Sequence, residues 1–202
     1  HLTPRKMRAA IQAQIDALEA PHVVLIGYGL CGNGLVGLKS RCHTLVIPCV
    51  DDCVALFLGS RAAYLREFHA NAATYYLTPG WLECGGEPRS EHLKCRDKYG
   101  EEKASLISDT LYSRYRRACF IAFTPEVLEQ YRPRAMQVAD FCRERWGWRY
   151  TEQVGSDALI RRLLQFGRTE IEAGGPLDTG DFLIIKPGEE VEQAPFMLWA
   201  CQ

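Results

Sequence analysis

Hydrophobic positions recur along this chain with two different periods. Met7, Ile11, Ile15 and Leu18 follow one another at helical spacing, which predicts an amphipathic helix over residues 5–19. Short apolar runs rich in β-branched residues predict strands at 22–29, 44–48, 73–81, 119–125, 148–156 and 181–188. Helical patterns lie between many of these runs, at 54–70, 126–146 and 157–166. Strands joined by helical crossovers predict an α/β fold with a mostly parallel sheet and flanking helices, in Rossmann-like layers.

The length of the chain and its uninterrupted pattern of elements predict one domain. The chain has 202 residues, and neither a linker nor a low-complexity tract interrupts it. The segment 83–118 is rich in Glu, Lys and Arg, and we predict it to be a helical, polar insertion. We therefore expect a single α/β domain over residues 1–202.

Nearly every predicted strand is followed by a loop of unusual composition. The loops are "GYGLC", "PCVDDC", "TPGW", "FTP", "VGS" and "KPG". In open parallel sheets, ligands bind beyond the carboxyl ends of the strands. The sequence thus predicts that a functional site lies at that edge of the sheet.

The first of these loops contains closely spaced glycines. "GYGLCG", from Gly27 to Gly32, formally matches the dinucleotide pattern G-x-G-x-x-G. Asn33 and Gly34 interrupt the helix that should begin there, and no acidic residue ends the next strand to hold a ribose. A nucleotide-binding enzyme is therefore the weaker alternative.

Cysteines offer a second interpretation of the same loops. The chain has nine, an odd number that does not fit a disulfide framework in a protein of this size. Cys31 and Cys53 each follow a predicted strand at the start of a predicted helix, where a thiolate is stabilised. Two thiolates in one crevice repel unless a proton or a metal ion lies between them, which predicts a metal site. Cys49 and Asp52 are further, weaker candidates, and the competing interpretation is that these cysteines are small residues at tight corners.

Composition narrows the classes of function. The net charge is −1 and the 24 basic residues are spread along the chain, so we expect no nucleic acid partner. No apolar run approaches the length of a membrane span and nothing resembles a signal peptide, so we expect a cytoplasmic protein without membrane contact. The apolar segment 194–201 suits packing onto the protein's own core, or a docking surface that would make the chain a homo-oligomer.

Several stretches together resemble a known family. They are "GYGLCGNGLVGL", "DDC…LFLGSRAAYL", "TYYLTPGWLE", "KYGEE" and "GDFLIIKPG". The chain resembles, over roughly residues 1–188, a domain-of-unknown-function family of small cytoplasmic α/β proteins. Genes of that family often lie beside those of corrinoid-dependent methyltransferases and their corrinoid proteins.

The resemblance implies a ligand set. Members usually begin with a further strand ending in a cysteine, followed by a Leu-His to which His1 corresponds, so that strand would precede residue 1. His1, Cys31, Cys53 and the preceding cysteine would then hold an iron–sulfur cluster or zinc. Gly29, Gly32 and Asn33 would shape the cofactor pocket. The chain has Asp51-Asp52-Cys53 where the family usually has His-Asp-Cys.

The sequence therefore leads to two functional hypotheses of different classes. The first is a metal- or iron–sulfur-binding protein accessory to corrinoid-dependent methyl transfer, whose partner is a corrinoid protein or methyltransferase. It would transfer electrons or methyl groups. The second is a non-enzymatic module that binds a small ligand or the corrinoid protein and whose cysteines are structural. Whether the chain is an enzyme stays open.

Overall fold

The computed structural model describes residues 3–173 and 180–196, and for 167–173 it describes the backbone only. The chain divides into two compact units, His1–Tyr64 with Ser156–Gln202, and Leu65–Gly155. Each unit contains one three-stranded sheet. The chain is thus α/β, while the Rossmann-like layering and the single domain over 1–202 stay predictions.

The first unit is built around a mixed sheet of order β1-β2-β6. Its elements are α1 (Pro4–Asp16), β1 (Val23–Leu25), β2 (Thr44–Pro48), α2 (Val54–Leu58), the first turn of α3 (Arg61–Ala70), α8 (Ala158–Ala173), β6 (Phe182–Ile185) and a 3-10 turn (Ala194–Phe196). β1 and β2 are parallel, with Val23 opposite Thr44. β6 is antiparallel to β2, with Leu45 opposite Ile185, so this sheet is mixed, whereas the prediction was a mostly parallel sheet. The apolar pattern identifies β6 as a strand but carries no information on its direction.

The second unit contains an all-parallel sheet of order β3-β4-β5. Its elements are the rest of α3, β3 (Thr74–Leu77), α4 (Pro79–Cys84), α5 (Pro88–Tyr99), α6 (Glu101–Tyr112), β4 (Arg117–Ala122), α7 (Pro125–Trp146) and β5 (Arg149–Val154). Helices connect the three strands in sequence order, as the crossover rule for parallel strands requires. α7 packs on β4 and β5.

Several predicted elements differ from the structure in extent. The strand predicted over 73–81 is only β3, because α4 begins at Pro79. The helix predicted over 54–70 is divided into α2 and α3, because Gly59 ends α2 with a φ of 81°. A side chain at Gly59 would meet Ser156, whose Cβ lies 2.7 Å from the position of a Cβ there. The strand predicted over 22–29 is only β1, because the chain turns after it, with Tyr28 N–H donating to the Ile26 carbonyl.

Each unit has its own hydrophobic core. In the first unit, one cluster contains the completely buried side chains of Leu35, Leu38, Leu45 and Ile47. α8 packs on β1 and β2. The core of the second unit is more aromatic and is centred on Phe120 and Trp148. No helix in the described ranges combines the length and apolar character that a membrane span requires.

Candidate functional site

The loops that follow β1 and β2 run side by side in the first unit. Leu30 N–H donates to the Val50 carbonyl at 3.0 Å, and Cys31 N–H donates to the Asp51 carbonyl at 2.9 Å. These bonds continue the pairing of β1 with β2 beyond the strands. Because adjacent parallel strands end at the same edge of a sheet, the pairing brings the two cysteine-bearing loops together.

Gly29 permits the close approach of these loops. A Cβ placed on Gly29 would lie 2.5 Å from the backbone carbonyl carbon of Asp52, a distance that a real side chain cannot adopt. The same construction at Gly27 meets nothing within 4 Å. Gly29 is therefore required by the contact between the loops, and Gly27 is not.

A left-handed turn orients the first thiol. Cys31, Gly32 and Asn33 have φ values of 48°, 65° and 65°. Cys31 and Asn33 are the only non-glycine residues with positive φ in the part of the chain that the structure describes. Such backbone costs of order 1 kcal/mol for a cysteine, and strain of this kind concentrates at functional sites. Residues 31–37 form turns rather than a helix, so the glycine loop lacks the helix start on which a dinucleotide phosphate would rest.

The thiols of Cys31 and Cys53 are in direct contact. Their Sγ atoms lie 2.9 Å apart, and both side chains are only partly buried. The hydrogen bond from Cys31 lowers the pKa of Cys53 from 9.0 to about 7, against the opposing effect of burial, and Gly29 N–H donates a second bond to the Cys53 sulfur. The same contact and burial raise the pKa of Cys31. When the pair loses its first proton, these shifts favour negative charge on Cys53 and a proton on Cys31.

Two aspartates lie just before Cys53. Asp52 is engaged on both carboxylate oxygens, since Oδ1 accepts from Val54 N–H and Oδ2 accepts from the Tyr64 hydroxyl. Burial raises the pKa of Asp51 and of Asp52. The Asp51 Oδ2 atom is buried and has no hydrogen-bond partner among the described residues. Asp51 therefore carries an unsatisfied acceptor in the loop that presents Cys53.

The other sequence-predicted ligands are placed differently. Cys49 is buried, and its thiol donates to the Pro195 carbonyl at 2.7 Å. His1 lies outside the described residues. Within the described ranges, no group of three or more His, Cys, Asp and Glu side chains is arranged to hold a metal ion. The structure thus brings the thiols of Cys31 and Cys53 together as a pair.

A cavity of about 540 Å³ adjoins the turn that carries Cys31. It is lined by Thr3, Pro4, Arg5, Arg8, Gly32 and Asn33. The Arg8 guanidinium also donates to the Val36 carbonyl at 2.8 Å, which fixes it beside the turn. Two arginines on the wall favour a ligand that carries negative charge.

The structure also shows a polar triad that the sequence analysis missed, in the second unit. His92 Nδ1 lies 3.0 Å from the Ser108 hydroxyl, and His92 Nε2 lies 3.3 Å from a Glu101 carboxylate oxygen. Ser108 is 2% exposed, so no substrate reaches its oxygen. The triad therefore joins α5 to α6 and is structural. Because it links positions 16 residues apart across two helices, only the helical register of α5 and α6 could have indicated it.

Comparison with known proteins identifies the family. Residues 1–164 match the model of a family described as "Protein of unknown function (DUF1638)". The chain belongs to this family. No curated protein and no solved structure matches it. The DUF1638 match includes both loops of the thiol pair, so Cys31 and Cys53 lie within the family domain.

Proposed function

We propose that this DUF1638 chain is a cytoplasmic metal- or iron–sulfur-binding protein accessory to corrinoid-dependent methyl transfer. Cys31 and Cys53 are two of its ligands. The observation that carries the proposal is the 2.9 Å contact between their sulfurs, made by two loops at the same sheet edge. The family resemblance supplies the link to corrinoid chemistry and the class of partner, a corrinoid protein or its methyltransferase.

The thiol pair fits a thiophilic metal with a small adjustment. Zn–S bonds of about 2.3 Å place two thiolates of a tetrahedral site about 3.8 Å apart. The sulfurs would separate by about 1 Å relative to their present contact. Metal binding displaces the protons that the pair holds, because the ligand is the thiolate. The unsatisfied Asp51 Oδ2 is an acceptor that a metal-bound water or a ligand N–H could satisfy.

The remaining ligands come from the family resemblance. His1 would be a third ligand beside Cys31 and Cys53 in the set that the resemblance implies. Cys49 and Asp52 are weaker candidates, since their thiol and carboxylate already make hydrogen bonds within the first unit. Gly29, Gly32 and Asn33 would form the wall of the cofactor pocket.

The bound group would supply either one-electron transfer, from a cluster, or Lewis acidity, from zinc. The protein's own part is to hold two sulfurs at a fixed edge of the sheet. Gly29 admits the backbone of Asp52 against the first loop, and the left-handed turn directs Cys31 to Cys53. Such preorganisation lowers the entropy lost when the metal binds.

Anaerobic purification followed by metal analysis tests the proposal. We expect bound metal, with brown colour and labile sulfide for a cluster, or zinc alone for the Lewis-acid form. Cys31→Ser and Cys53→Ser should each lower metal affinity by at least about tenfold, the range found for perturbed metal sites. Cys42→Ser and Cys84→Ser, which change exposed cysteines, are the matched controls. Equal metal binding by the native chain and the double serine variant would contradict the proposal.

The cavity beside the turn favours one alternative, a non-enzymatic module that binds an anionic ligand or a corrinoid protein. Arg5 and Arg8 line it together with Gly32 and Asn33. The double variant Cys31→Ser/Cys53→Ser distinguishes the two proposed functions. A module whose cysteines are structural keeps its ligand binding there, while Arg8→Ala abolishes it. A metal-dependent protein loses its function in the double variant.

A further inference from the structure

We propose that Cys31 and Cys53 also act as a dithiol that exchanges with small-molecule disulfides and closes to an intramolecular disulfide. This activity is distinct from metal binding and does not depend on it. The external oxidant is a disulfide of a low-molecular-weight thiol, such as oxidised glutathione.

The geometry brings the two sulfurs almost to bonding distance. A disulfide bond is about 2.05 Å long, so the sulfurs at 2.9 Å need to approach by less than about 1 Å. The backbones of both loops are already joined through the Cys31 N–H to Asp51 carbonyl bond. Both cysteines are partly exposed, whereas Cys49, Cys119 and Cys142 are buried. An external disulfide can therefore reach this pair.

The hydrogen bonds give the two thiols different roles. The sulfurs of Cys31 and Cys53 share one hydrogen bond, and Gly29 N–H donates a second bond to the Cys53 sulfur. This additional N–H donor favours negative charge on Cys53, and the thiolate is the attacking species in exchange. Cys53 is therefore the attacking residue and Cys31 the resolving residue.

The exchange proceeds in two balanced steps. The Cys53 thiolate attacks one sulfur of the external disulfide, whose S–S bond breaks and releases one thiolate, leaving a mixed disulfide on Cys53. The released thiolate takes up a proton, and Cys31 gives up its own. The Cys31 sulfur then attacks the Cys53 sulfur and expels the second small thiolate. Two protein thiols are oxidised by two electrons, and the external disulfide is reduced to two thiols.

Trapping of the intermediate tests this assignment. The full chain is freed of metal, reduced, exposed to oxidised glutathione, quenched in acid, alkylated and mapped by peptide mass spectrometry. The native chain should give a Cys31–Cys53 cross-link with no glutathione retained on either residue. Cys31→Ser should accumulate a glutathione adduct on Cys53. In Cys53→Ser, modification of Cys31 should be at least about tenfold slower, since the hydrogen-bonded thiolate is gone. Cys84→Ser, at an exposed cysteine, should match the native chain.

A measurement on the native chain makes the test independent of how the variants fold. In glutathione buffers of graded ratio, the fraction of Cys31–Cys53 cross-link should follow a single two-electron transition. Separate glutathione adducts on Cys31 and Cys53 without a cross-link would overturn the proposal. A cross-link that forms only after denaturation would overturn it as well. Because the assay uses metal-free protein, its result is independent of whether the chain binds metal.

Discussion

The two sheets of this protein use the ends of their strands differently. In the second unit, β3 and β4 lead directly into helices that begin with Thr-Pro. Trp81 N–H donates to the Thr78 hydroxyl, and Val127 N–H donates to the Thr124 hydroxyl. In the first unit, β1 and β2 lead into loops whose backbones pair with each other and present thiols. After β3 and β4 the backbone N–H groups are used to begin capped helices. After β1 and β2 they pair the two loops instead, and this is where the candidate site lies.

The cysteines show the same contrast. Burial raises the pKa of Cys142 in the second unit to about 12, so that thiol is an inert packing group. In the first unit the contact with Cys31 lowers the pKa of Cys53 to about 7. The chemistry therefore follows from the local partners of a thiol and not from the number of cysteines in the chain.

The largest expected effect comes from Gly29, which permits the close approach of the two loops. Gly29→Ala places a methyl group 2.5 Å from the Asp52 carbonyl carbon, and relief requires a backbone shift. We expect a loss of about 3 kcal/mol in the free energy of unfolding, the upper range for overpacking. Gly27→Ala is the matched control, expected within about 0.5 kcal/mol of the native chain. Equal stability of the two variants in urea denaturation would show that the loops do not approach as described.

The pH dependence of alkylation tests the contrast between Cys53 and the buried thiols. Alkylation of Cys53, followed by peptide mass spectrometry, should rise with pH around a midpoint near 7, because its pKa is lowered to about 7. In Cys31→Ala the midpoint should move up towards 9.0, since the largest cause of the lowering is removed. For the free energy of unfolding, the lowered pKa of Cys53 adds stability as pH rises from about 7 to 9. The raised pKa of Cys31 has the opposite sign and removes stability as pH rises above 9. A midpoint that is unchanged in Cys31→Ala would break the comparison.

In the second unit, the buried triad should behave as a structural contact. Ser108→Ala removes the hydroxyl that partners His92 Nδ1 and should cost about 1–2 kcal/mol in the free energy of unfolding. Alkylation of Cys53 should stay as in the native chain, because Ser108 belongs to the other unit. A Ser108→Ala variant of undiminished stability would remove the triad from the account.

The smallest effect is expected at a helix start. Thr124→Ala removes the cap of α7, whose hydroxyl accepts from Val127 N–H, and should cost about 1 kcal/mol. Thermal and urea unfolding measure it, with Thr124→Ser as the conservative control. If Thr124→Ala instead changed the reactivity of Cys53, strand ends of the two units would not be independent.

Sequence reasoning recovered the periodic elements well. The helix bounds of α7 follow from a long amphipathic pattern with Thr-Pro at its start and Gly147 at its end. The α/β class follows from alternating periods, and β2 was predicted at its exact residues because its apolar run ends at Pro48. Such features depend on local chemistry, which the chain displays directly.

Other features depend on long-range contacts that the chain does not display. The antiparallel direction of β6 depends on how the chain returns to β2. The close approach of Ser156 to Gly59, where the helix predicted over 54–70 is divided, is also a long-range contact. The predicted proximity of Cys31 and Cys53 rested on neighbouring strands, but the hydrogen bond between them could not be read from spacing. Nor could the positive φ of Cys31 be predicted, since cysteine rarely adopts it.

One measurement tests the central claim, that Cys31 and Cys53 form a single paired thiol site. A trivalent aryl arsenical binds stably only where two thiols reach the same arsenic atom. The reduced native chain should bind one arsenical, with Cys31 and Cys53 both lost from the alkylated peptides. Cys31→Ser and Cys53→Ser should each abolish binding, and Cys42→Ser should retain it. Retention of the arsenical by both single variants of the pair, or its failure to bind the native chain, would contradict the account.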